Sequence, residues 1–110
     1  MKLTFVFAPV TDLTSALTFY RDTLGWSEAW REGDDTVAFA LPDSGVQVMV
    51  SREVDQPVGP MYQVDSVADF LAGKPGLRVT VEPRDIPDGT VAGFQDPGGN
   101  TLYVFDQARA

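Results

Sequence analysis

The sequence predicts an α+β domain built from two copies of one βαβββ unit, and three observations carry that reading. Apolar residues alternate along most short runs but fall at helical spacing in two places, and each helical stretch follows one strand-like run and precedes three others. The helix-capping candidates Asp12 and Asp65 stand 53 residues apart, and Gly45 and Gly99, each at a final hairpin, stand 54 apart. Two copies are too few for a solenoid, so the expectation is one domain over residues 1–110. Module one covers about 1–52, a Pro- and Gly-bearing linker about 53–59, and module two about 60–108.

The first element is a strand over Leu3 to Phe7, rich in β-branched and aromatic residues and expected to stop at Ala8-Pro9. Asp12 then caps a helix at about residues 13 to 24, with Leu13, Leu17, Tyr20 and Leu24 on one face and Gly25 at a left-handed C-cap. Runs beginning at Trp26, Thr36 and Gly45 read as strands, separated by the turns Gly33-Asp34-Asp35 and Pro42 to Gly45. In module two PMYQV is a strand, Asp65 an N-cap, and Val67, Phe70 and Leu71 an apolar stripe ending at Gly73. LRVTVEP, GTVAGFQ and NTLYVFD follow as strands, with turns at Pro83 to Gly89 and Asp96 to Gly99.

Composition narrows the chemistry. The chain has no Cys and no His, which removes disulfides, thiolate nucleophiles, the commonest general base and imidazole ligands. Seven Phe, two Trp and three Tyr supply bulky core material. A net charge of −8 repels nucleic acid and anionic lipid and favours cations, so neither nucleic acid nor a membrane is an expected partner. The opening MKLTFVFAPV is too short an apolar run for a secretion signal or a membrane span, and the expected location is the cytoplasm. Phosphate-binding, dinucleotide and nucleophile-elbow motifs are absent.

PVTDLTSALTFYRDTLGW, with FY-x₃-LG at Phe19 to Gly25, and the terminal FQDPGGNTLYVFD, with DPGGN at Asp96 to Asn100, resemble the vicinal oxygen chelate superfamily over essentially the whole chain. That superfamily includes glyoxalase I, extradiol dioxygenases and bleomycin-resistance proteins. The resemblance implies two βαβββ modules forming one cupped mixed sheet with helices on its convex side, pairing into a homodimer, and a ligand in the cup. Metal-dependent members carry His or Glu at four inward strand positions. Those positions fall here on Phe5, Gly59, Tyr103 and Met49, with Gln47 on the same face as Met49. None suits a divalent transition metal, so neither a metal nor another cofactor is expected.

Strand alternation from the positions that the resemblance supplies, with Trp30 and Phe39 added from the second and third strands, gives an aromatic cup as the candidate ligand site: Phe5, Phe7, Trp30, Phe39, Gln47, Met49, Met61, Gln63, Tyr103 and Phe105. Such a lining suits a planar apolar or heteroaromatic molecule, and the excess of acid biases it toward a cation. The same rings would equally serve a packed core or a dimer seam. The leading reading is a binding protein of the bleomycin-resistance kind, sequestering a planar ligand such as an antibiotic without metal and without catalysis. Ala8-Pro9 resembles the hinge at which that branch exchanges its N-terminal strand between subunits. The alternative is a metal-independent or carboxylate-dependent enzyme of the same superfamily: a lyase, isomerase or dioxygenase-like protein. Asp34-Asp35 or Asp85 with Asp88 would be its acid-base pair.

Overall fold

The computed structural model of the chain describes residues 1–53 and 55–108. Val54, within the expected linker, lies outside the described residues. The described chain divides into two compact units, Thr4–Val58, and Met1–Leu3 together with the chain from Gly59 onward.

In the first unit, which takes β1 from Thr4 onward, the element order is β1 (Lys2–Pro9), α1 (Leu13–Leu17), β2 (Glu28–Glu32), β3 (Thr36–Ala40) and β4 (Gln47–Ser51). The strands lie in the order β2-β3-β4-β1, with β1 parallel to β4 and the other pairs antiparallel. β1 continues through Ala8-Pro9 instead of stopping there. Pro9 has no N–H to give, and the ladder survives because the next residue, Val10, donates its N–H to Ser51 O at 2.7 Å.

Asp12 caps α1 as expected, its carboxylate accepting from the Ser15 N–H and hydroxyl. The helix then widens into a π-helical segment over Thr18–Thr23, closed by the Leu24 N–H donating to Phe19 O. Gly25 follows with φ +76°, the left-handed stop the sequence called for. The wide turn rotates its residues away from 3.6-residue spacing. Leu13, Leu17 and Tyr20 still reach the core, but Leu24 and the motif residue Phe19 are exposed. Tyr20 stacks on Phe39 at 5.4 Å and also meets Trp26, which belongs to this helix-side core and not to β2.

The second unit runs β5 (Gly59–Gln63), α2 (Val67–Ala72), β6 (Arg78–Ile86), β7 (Gly89–Gln95) and β8 (Thr101–Phe105), in the strand order β5-β8-β7-β6. Gly59 opens β5 instead of closing the linker. β6 passes through Pro83, where a turn was expected, because it is the outer strand of this order and its pairing with β7 is interrupted between Val81 and Arg84. The α2 cap is Ser66, accepting from the Asp69 N–H, one residue beyond the expected Asp65. Its distance in sequence from Asp12 is thereby 54, equal to the glycine offset.

The same offset runs through the registers. Phe7 sits opposite Met49 in the β1–β4 pair, and Met61 opposite Tyr103 in the β5–β8 pair, each 54 residues beyond its counterpart. Each unit packs its helix on one sheet face. Ala16 meets Val37, Phe39, Val48 and Val50 in the first, and Val67 meets Ala92, Phe94 and Val104 in the second.

Candidate functional site

Because side chains alternate along a strand, the face opposite the first helix carries the residues between those core positions. The register sets Phe5 beside Gln47, Phe7 and Ala38 beside Met49, and Trp30 beside Ala38. An irregularity between Glu28 and Trp30 shifts β2 by one residue relative to β3 and brings the Trp30 indole over this face. There the Phe5 and Trp30 rings meet edge to face, 5.8 Å apart at 89°, and the indole N–H donates to Gln47 Oε1 at 2.8 Å. Phe5, Trp30, Gln47 and Met49 are half-buried, keeping part of their surface open, whereas Phe7 is buried.

Phe39 is not part of this face. It is fully buried on the helix side beneath Tyr20, so its expected place in the ligand site is corrected. The run TVAFAL is apolar at every position after Thr36, so alternation could not tell its two faces apart.

In the second unit Met61, Gln63, Tyr103 and Phe105 share the face away from α2, as the register of β5 with β8 requires. Three of them are closed off: Met61, Tyr103 and Phe105 are only 7%, 4% and 4% exposed. Tyr103 lies against two bare backbones. A Cβ on Gly93 would stand 2.9 Å from Val81 Cγ2 and 3.2 Å from the Tyr103 ring, and one on Gly59 would strike the Thr101 carbonyl. Only Gln63 stays half-open, its amide donating to Gln107 Oε1 at 3.4 Å. Met61, Tyr103 and Phe105 are thus packed, whereas Phe5, Trp30, Gln47 and Met49 of the first unit stay accessible.

The four positions at which the resemblance places metal ligands carry a phenyl ring, a thioether, a hydrogen and a phenol. That donor set does not fit a divalent transition metal. Among the described residues no three His, Cys, Asp or Glu side chains gather as a group able to hold one. Asp34-Asp35 and Asp85 with Asp88 are exposed, Asp35 lying 3.7 Å from Arg52, and Asp88 adopts the positive φ of a turn. On β2 the Arg31 hydrogen bond holds the Glu28 carboxyl below its ordinary range, and Glu28, Arg31 and the second acid, Glu32, are all exposed. A cleft of about 410 Å³ at the start of α1 holds Arg31 and Arg52 beside Asp12 and Asp34, all exposed. It has no buried polar group aimed into it.

Asp106 was not singled out by the sequence beyond closing the last strand. It is 4% exposed, yet both carboxylate oxygens are occupied, accepting from the Val67 N–H at 2.8 Å and the Thr90 N–H at 2.9 Å. It ties the start of α2 to β7 and is a structural acceptor.

The repeated βαβββ unit, each copy with its helix on one sheet face, defines an α+β class of paired modules. The chain belongs to the Glyoxalase/Bleomycin resistance protein/Dioxygenase superfamily, whose sequence profile matches residues 2–104. Solved structures with this fold include an NAD-dependent benzaldehyde dehydrogenase from Legionella pneumophila, at TM-score 0.73 and 15% identity over 93% of this chain and 96% of that one. A superfamily member from Vibrio splendidus aligns at TM-score 0.65 and 18% identity, covering 93% and 95%. Streptomyces coelicolor methylmalonyl-CoA epimerase, in complex with 2-nitronate-propionyl-CoA, aligns at 0.73 and 17%, covering 98% and 95%. At these identities the likeness is one of fold. No curated protein matches the sequence. No helix among the described residues is long and apolar enough to cross a membrane.

Proposed function

We propose that the chain is a small-molecule-binding protein that holds a planar ligand on the Phe5–Trp30 face and sequesters it without a metal. The observation that carries this reading is the perpendicular Phe5–Trp30 pair, held open on a sheet face by the bond from Trp30 to Gln47. A flat ring can stack on one of these side chains and meet the edge of the other, while the Met49 thioether adapts to its outline. Fold does not select a chemistry here, since one architecture is shared by proteins as different as a dehydrogenase and an epimerase. What favours binding over turnover is the site itself, which offers rings, an amide and a thioether but no carboxylate or imidazole.

A thermal-shift screen of planar aromatics tests the proposal, because a ligand at 100 times its Kd stabilises its protein by about 2.7 kcal/mol. Calorimetry with a hit should then show Phe5→Ala and Trp30→Ala each losing about 1–3 kcal/mol of binding, as for truncated stacking anchors. Phe19→Ala, on the exposed helix surface, should bind as the parent does. Folded Phe5→Ala and Trp30→Ala variants with parental affinity would refute the site.

A further inference from the structure

Trp30 Nε1 can only donate, and its bond to Gln47 Oε1 settles which way round the amide lies: the reverse orientation would set two donors against each other. The Gln47 Nε2 group makes no hydrogen bond among the described residues, so its two N–H donors remain to be used. The register leaves room beside it. Gln47 sits between Phe5 on β1 and Ala40 on β3, and Ala40 presents only a methyl group. An amide donor is therefore fixed at the rim of the Phe5–Trp30 pair, where the edge of a stacked ring would lie.

Resting on the ligand site proposed above, we infer that Gln47 is the specificity-determining residue of that site and selects planar aromatics bearing a hydrogen-bond acceptor, a ring nitrogen or a carbonyl, over planar cations of the same shape. The net charge of −8 draws cations to the molecule as a whole. At the site, however, the polar group bonded to the ring pair is a donor; Glu28 lies opposite Phe39 and is engaged by Arg31, and the exposed Glu32 lies opposite Thr36, two rows along the sheet from Gln47. A ligand acceptor would complete the Gln47 amide, whereas a cation would meet its positive edge.

Two probes of nearly equal shape separate these preferences: quinoline at alkaline pH, where its ring nitrogen is an unprotonated acceptor, and N-methylquinolinium, where that nitrogen is blocked and charged. Calorimetry on the intact protein should find quinoline about three- to tenfold tighter, the worth of one neutral hydrogen bond. The Gln47 side-chain NH₂ signals should move in the nitrogen–proton spectrum with quinoline only. Gln47→Glu keeps an oxygen for the Trp30 N–H, removes the donor and should reverse the order. Equal affinities, tighter binding of the cation by the parent, or an unchanged quinoline preference in folded Gln47→Glu would overturn the role of Gln47 while leaving the ligand site standing. If neither probe binds at millimolar concentration, both this inference and the site beneath it fail.

Discussion

Replacing Asp106 by alanine tests how the second unit is held together, because the structure gives that one carboxylate two backbone donors to satisfy. Val67 opens α2 and is fully buried, so its N–H would lose a 2.8 Å acceptor with no water to replace it. Thr90 is half-buried, and the loss of its 2.9 Å bond is partly recovered by solvent. A stranded buried donor costs about 1–3 kcal/mol, so the first loss lies near the top of that range and the second near the bottom, about 3–4 kcal/mol in all. For a domain whose total stability is about 5–15 kcal/mol this is a large fraction. Urea unfolding should show the midpoint falling with the slope unchanged, and Asp106→Asn, which keeps one oxygen, should lose less. Hydrogen exchange at the Val67 and Thr90 amides should accelerate ahead of the rest of the unit. A midpoint shift worth less than about 0.5 kcal/mol for Asp106→Ala, the scatter of an ordinary surface substitution, would refute the assignment.

Gly93→Ala should destabilise by about 1–3 kcal/mol through overpacking, since its Cβ would press on Val81 and the Tyr103 ring; calorimetric melting measures it. Asp96 has its carboxyl held below the ordinary 3.8 by the Asn100 side-chain amide first and then by backbone N–H groups. Its contribution is therefore present above pH 3.8 and lost as pH falls below it, and Asp96→Asn should flatten that acid-side decline in a pH series of urea midpoints. The exposed apolar residues Met1, Leu3 and Val58 call for cover, and sedimentation at micromolar concentration should find a homodimer; a monomer would refute that expectation.

Much of the fold was legible in the sequence because turn chemistry and alternation agreed. GTVAGFQ, bounded by Gly89 and Asp96, is β7 residue for residue, and Gly25 ends its helix where a left-handed residue was needed. What misled was local ambiguity. Asp65 and Ser66 are both good caps, and only the backbone around Ser66 decides between them. Leu24 left the helical face because of a π turn that no residue type announces. In the site, Phe5 could be placed by the resemblance, and Gln47 and Met49 by matching Gly45 to Gly99, but Phe39 could not, because its strand is apolar on both faces. The Trp30–Gln47 bond was out of reach: it joins residues 17 apart and depends on the irregularity in β2.

The chain's two tryptophans supply an internal control for the central claim. Trp26 lies in the helix-side core and Trp30 on the opposite face against Phe5, so their indole N–H signals report on the two sides of one sheet. Titration of the nitrogen-labelled protein with a planar aromatic such as quinoline should move the Trp30 indole signal in a saturable manner and leave the Trp26 signal in place. A ligand that saturates while the Trp30 signal stays still, or that moves Trp26 instead, would contradict the account.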